Sequence, residues 1–153
     1  MPEPVLWTIQ TSLKTAVETI DGTGSFFNTA ATVAHKTNAV QSFTRDTFMI
    51  GLNSVTRETE ETQGKYYFRA IFDIEAIVAP VTGVEDDQLR ARLWSDIAAA
   101  VMADPQRTVS ATRYAIDTQV LAPEIQDQYD ERVGITAPVE VYFRQSITDP
   151  TSL

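Results

Sequence analysis

The chain contains no cysteine, so neither a disulfide framework nor a thiolate zinc site can hold it together. It contains a single histidine, His35, which must serve any Ser-His-Asp triad or histidine-ligated metal. That residue stands in AHKTN, a polar stretch without a GxSxG elbow or an HExxH pair, and reads as a surface loop histidine. Long apolar runs are missing, and nothing approaches the ~18 residues of a membrane-spanning helix. The N-terminal MPEPVLWTIQTSLK has neither a basic start nor an unbroken apolar run, so no signal peptide is expected. Basic residues are scarce: 12 Lys and Arg stand against 21 Asp and Glu, a formal net charge of −9. That balance argues against binding nucleic acid by a broad basic patch and suits a surface that repels DNA.

What is present is a core. With 153 residues one domain is the default, and a chain of this size buries roughly 70% of its unfolded surface without staples. The clearest signal is Lys65 to Ala79, KYYFRAIFDIEAIVA. Tyr66, Phe68, Ala70, Phe72, Ile74, Ala76 and Val78 share one parity; Tyr67, Arg69, Ile71, Asp73, Glu75 and Ile77 share the other. Alternate residues of a strand face opposite sides, so one face is apolar and the other carries the charges. This predicts a long antiparallel strand over a core, its second face wet or turned to a partner.

Other elements follow from their periodicity. Leu6, Ile9, Leu13, Ala16, Val17 and Ile20 mark an amphipathic helix starting near Pro4 and ended by Asp21-Gly22 and Gly24. Residues Ser25 to Ser42 suggest one irregular strand and a long loop. Phe48, Ile50 and Leu52 alternate in a strand over Thr47 to Val55. TRETEETQG, Thr56 to Gly64, predicts a protruding polar hairpin loop. Asp86 and Asp87 suit a helix start, as cap and as negative charge at the positive end. Leu89, Leu93, Ile97 and Val101 continue that helix to Asp104-Pro105. A strand over Tyr114 to Val120, an acidic connector over Pro123 to Arg132 and a last strand over Val139 to Arg144 complete the order. Residues from about 146 to 153 read as a polar tail. The fold class is α+β: a mostly antiparallel sheet of four to five strands packed by two helices, in which Leu93 and Ile97 cover Phe68 and Phe72.

The chemistry-bearing residues favour contact over catalysis. Glu58, Glu60 and Glu61 lack the Asp-x-Asp-x-Asp-Gly rhythm of a calcium loop and read as a solvated tip. Gly22-Thr23-Gly24-Ser25 follows a helix and lacks the lysine of a phosphate loop. Asp73 and Glu75 share a strand face and could do acid–base work if burial drove their pKa values apart, but Arg69 on that face neutralises them more simply. Tyr67, Ile71 and Ile77 among those charges suit an interface with a polar rim, against the plainer reading of a solvated sheet face. Trp7 and Trp94 read as core edges. No cofactor or metal site is expected.

The order and texture of these segments resemble the tail terminator proteins of long-tailed bacteriophages, the minor tail protein family that includes the lambda-type terminator. A leading amphipathic helix ends in a Gly turn. Phe48-Met49-Ile50-Gly51-Leu52 leads through a charged hairpin into the long alternating strand. DDQLRARLWSDIAAAVMADPQ closes a helix on Asp-Pro, and VEVYFRQSITDP follows. The resemblance implies a virion structural protein without enzymatic activity. It would form a hexameric ring that caps the tail tube, stops its growth and joins the tail to the neck or head-completion protein, with DNA passing through the lumen and no membrane involved. Six copies at −9 sum to about −54 per ring, and a negative lumen lets DNA slide. The residues assigned to ring and docking contacts are Arg57, Glu58, Glu60, Glu61, Tyr67, Arg69, Asp73, Glu75 and Arg144. The alternatives are another neck or tail component, or a small α+β ligand-binding module or enzyme of hot-dog or ferredoxin-like shape.

Overall fold

A computed structural model describes residues 2–37, 45–62, 64–129, 131–146 and 148–153, with side chains except at 59–62 and 126–129. The elements are α1 (Val5–Val17), β1 (Thr32–His35), β2 (Thr47–Thr62), β3 (Lys65–Val78), α2 (Asp86–Met102), β4 (Thr108–Val109), β5 (Thr112–Arg113), β6 (Asp117–Val120), β7 (Glu124–Tyr129) and β8 (Arg132–Ser146). The class is α+β, as the periodicities predict. The sheet is larger than expected: it has six strands in the order β1-β2-β3-β8-β6, with β7 also on β8, and β4–β5 form a separate small hairpin. All pairings in the main sheet are antiparallel except β1 with β2.

Two polar segments expected as connectors are strands. TRETEETQG is no protruding loop; β2 runs to Thr62 and β3 begins at Lys65, so the hairpin stays paired almost to its tip. The pairing slips between Leu52 and Ser54 and again between Arg57 and Glu61, two bulges that bend and twist this arm. The acidic run after Pro123 is β7, paired to the first part of β8. Conversely, Tyr114 and Ile116 precede β6 and are not part of it. Of the span from Ser25 to Ser42, residues 38–42 lie outside those described, as does Phe43; β1 is the strand within it.

β8 has β3 along its whole length on one side, and on the other β7 up to Thr136 and β6 from Val139. Pro138 falls in the gap between those two partners. Its carbonyl accepts from the Leu121 N–H on that side. A residue's N–H and C=O point the same way in a strand, so the missing proline donor faces the gap and no ladder bond is lost.

The helices lie on one face, α1 over β2 and β1, α2 over β8 and β6, and they touch each other. The α1 stripe Val5, Ile9, Leu13 and Val17, the α2 stripe Leu89, Leu93, Ile97 and Val101, and Ala70, Phe72, Ile74, Ala76 and Val78 of β3 form one buried cluster. Phe68 packs against it half-buried. α1 ends at Val17, before the Asp21-Gly22 signal, and Ile20 is buried from the following turn. Gly22, at φ +75°, serves that turn; a Cβ there would stand 2.7 Å from the Thr29 hydroxyl. α2 starts at Asp86 without a side-chain cap, so Asp86 and Asp87 act through charge on the helix dipole. The expected polar tail is tied down. The Val5 N–H donates to the Pro150 carbonyl, and Leu153 packs half-buried against the core.

Candidate functional site

The face of the sheet away from the helices divides into a dry and a wet half. At the end near β1, Thr47, Met49, Glu75, Ile77 and Thr136 are buried. Glu75, placed by its parity among the contact residues, is only 8% exposed and pairs with Lys36 at 2.5 Å. Gly51 allows that lysine to cross β2: a Cβ there would lie 3.0 Å from Lys36 carbons.

The other half carries polar and aromatic groups. Tyr67 on β3 stacks on Tyr142 of β8, with centroids 5.8 Å apart. Arg69 reaches Glu58 of β2 at 3.1 Å and Glu140 of β8 at 3.7 Å. It also lines a shallow hollow of about 210 Å³ with Asp117, Gln119, Glu140 and Tyr142. Asp73 accepts from the Asn53 amide at the first bulge, 2.8 Å away. Arg144 is exposed opposite Tyr67. Arg57, expected among these contact residues, lies instead on the helix side of the sheet, opposite Phe68 and over the Tyr66 ring, 4.8 Å from its centroid. The side chains of Glu60 and Glu61 lie outside those described. The structure therefore gathers Glu58, Tyr67 and Arg69 with Glu140 and Tyr142, two residues the sequence reading did not assign. Their parity with Arg144 on β8 would have found them, because strands paired along their length share faces.

Two features on the helix side had no sequence signal. Asp96, in the middle of α2, is fully buried. Its carboxylate accepts from the Phe27 and Asn28 N–H groups and the Asn28 amide, at 2.9, 2.9 and 2.7 Å. That tie holds Phe27 outward, 61% exposed, with Arg92 over its ring. A groove of about 630 Å³ runs between α1 and the β4–β5 hairpin, lined by Trp7, Thr11, Thr15, Ala100, Arg107 and Val109 among others. The Arg107 guanidinium is buried and caps α2, donating to the Val101 and Asp104 carbonyls. Burial pushes it below the usual arginine range, with Asp104 opposing.

Trp94 is a core edge, its ring N–H donating to the Leu121 carbonyl at 3.1 Å. Trp7 is 42% exposed and its ring packs tilted against that of His35, centroids 4.5 Å apart. His35 is not a surface loop residue: it ends β1 half-buried, with Nδ1 3.2 Å from the Gln10 amide nitrogen. That amide also donates to the Ile50 carbonyl, so the neutral ring accepts at Nδ1 and a protonated ring would oppose a donor. Burial first, then the Lys14 charge, lowers the His35 pKa, against a weaker opposite pull from Glu18. A lowered folded pKa means the unfolded chain binds the proton more tightly. The stabilisation is complete above the unfolded value of about 6.5 and is lost as pH falls below it. The urea midpoint is expected to drop between pH 7.5 and 5.5, and less so in His35→Gln. An equal drop in the variant would assign the effect to other groups.

Among the described residues no group of three or more His, Asp or Glu side chains is placed to hold a metal ion, and no helix is long and apolar enough to cross a membrane. No protein-family model matches the chain, and none of the curated proteins does.

Proposed function

We propose that the protein is a tail terminator of a long-tailed bacteriophage, forming a hexameric ring that caps the tail tube and joins it to the neck. The observation that carries this reading is the wet half of the sheet's second face. Stacked tyrosines and opposed charges lie there on three long strands, a surface of aromatic anchors with a polar rim suited to contact with protein. The order of elements that resembles the terminator family supports it, and so does the net charge of −9, which suits a lumen that DNA must pass without sticking. The rival ligand-module reading has the groove beside α1 as its support, since an apolar-lined cleft is the usual form of a small-molecule site.

Imaging of purified protein and of assembled tail ends separates the two. A six-membered ring with an open pore is expected; a monomer, or a stable twofold dimer burying the Tyr67–Arg69 face, would overturn the terminator reading. The tip of the β2–β3 arm is expected to meet a neighbouring ring. Charges at an interface rim act mainly on association rate and partner choice. Changing Glu58, Glu60 and Glu61 together to Lys should therefore shift stability by no more than about 1 kcal/mol while impairing tail joining. Normal tails and full infectivity from that variant would leave the acidic arm as a solubility feature.

A further inference from the structure

The sheet has two unfinished edges. β1 accompanies β2 only as far as Ile50, after which Leu52 to Arg57 are all exposed and, among the described residues, paired on one side alone, to β3. At the opposite side the sheet ends at β6. A strand edge presents a row of unpaired N–H and C=O groups and is a template for another chain unless it is covered. Both edges also carry exposed apolar side chains: Leu52 at 44% and Val55 at 40% on one, and Ile116, just before β6, at 44% on the other.

We infer that the two edges are each other's partners: β2 over Leu52–Arg57 of one copy pairs antiparallel with β6, Asp117–Val120, of the next. This rests on the ring reading and specifies its interface. The occupant is a second copy because the edges belong to opposite ends of one sheet. Joining them is a heterologous contact, the kind that closes a ring and that a twofold dimer does not use. Strand direction agrees. Three successive antiparallel steps separate β2 from β6, so the two run oppositely within one chain. Rotation about a ring axis preserves each strand's direction along that axis, so β2 of the next copy meets β6 antiparallel, the commoner pairing. The union removes both edges, as closure of a barrel does.

The cysteine-free sequence makes the test clean, since any disulfide must be an engineered one. Ser54 and Thr56 are exposed on the second face of β2, Asp117 and Gln119 on the same face of β6. Ser54→Cys and Thr56→Cys are each mixed with Asp117→Cys and Gln119→Cys and mildly oxidised, four pairings that span neighbouring registers. Only Cα atoms within about 7 Å can bridge. Melting curves confirm that each variant is folded. At least one mixed pair is expected to give a cross-linked dimer that neither variant gives alone, and the corresponding double variant a ladder reaching six chains. Rings in images with no cross-link in any mixed pair would overturn the edge pairing and leave the ring. Cross-linking of Ser54→Cys with itself would mean a twofold contact and overturn both. Absence of rings and of cross-links together would remove the ring reading and this interface with it.

Discussion

Phe72→Ala is expected to destabilise the protein by about 3–5 kcal/mol, the range for deleting a fully buried aromatic ring. Phe72 is 0% exposed and sits on the central strand β3, between β2 and β8. Collapse to fill the cavity would require one of three long paired strands to move. With total stabilities of 5–15 kcal/mol typical of single domains, that loss is a large share. Urea titration measures it as a lower midpoint at unchanged slope. Leu93→Ala should cost about 2–5 kcal/mol. By contrast Tyr67→Ala, on the wet face of the same strand, should cost far less. A change below about half a kcal/mol at Phe72 would mean that the apolar parity is not the core face.

Asp96→Ala carries the second large effect, on the order of 3 kcal/mol. It leaves two backbone N–H groups and an amide without the acceptor that the fully buried carboxylate provides. Asp96→Asn should recover little, because one oxygen becomes an NH₂ facing donors. Amide hydrogen exchange gives a local check: Phe27 and Asn28 should lose protection well before the strands do. Uniform loss across the sheet, with no excess at those two amides, would show that Asp96 stabilises something other than this loop.

These two residues mark how far the sequence could be read. Phe72 was legible because a strand repeats every two residues and the whole run from Tyr66 to Val78 obeys that period. The α2 stripe was legible for the same reason at helical spacing. Asp96 was not, since its partners Phe27 and Asn28 lie in a loop nearly seventy residues earlier and nothing local distinguishes it from a solvated helix position. β7 escaped because EIQDQY has one aliphatic residue, Ile125, and that one faces water. An edge strand held by backbone pairing to β8 needs no hydrophobic alternation to form. The outer half of β2 escaped likewise. β1 pairs parallel to β2 across a return connection, and a four-residue strand of that kind has no distinctive pattern. Of the polar cluster on the second face, Tyr67 and Arg69 of β3 were legible from their parity, while Glu140 and Tyr142 needed the β3–β8 register.

That register also orders events during synthesis. β3 is complete at Val78, but the strand that covers its second edge begins only at Arg132. While the intervening chain is made, the nascent β2–β3 hairpin carries one naked edge beside the apolar row Phe68 to Val78. It cannot consolidate until β8 emerges, because contacts so distant in sequence form late. β6 and β7 lie within that interval and have no strand to pair with until β8 arrives. Both therefore take their places only after the chain has been made through β8. If β6 is the edge that a neighbouring copy grips, as inferred above, a ribosome-bound fragment would lack it, and copies translated side by side on one message would be kept from that contact until β8 is made.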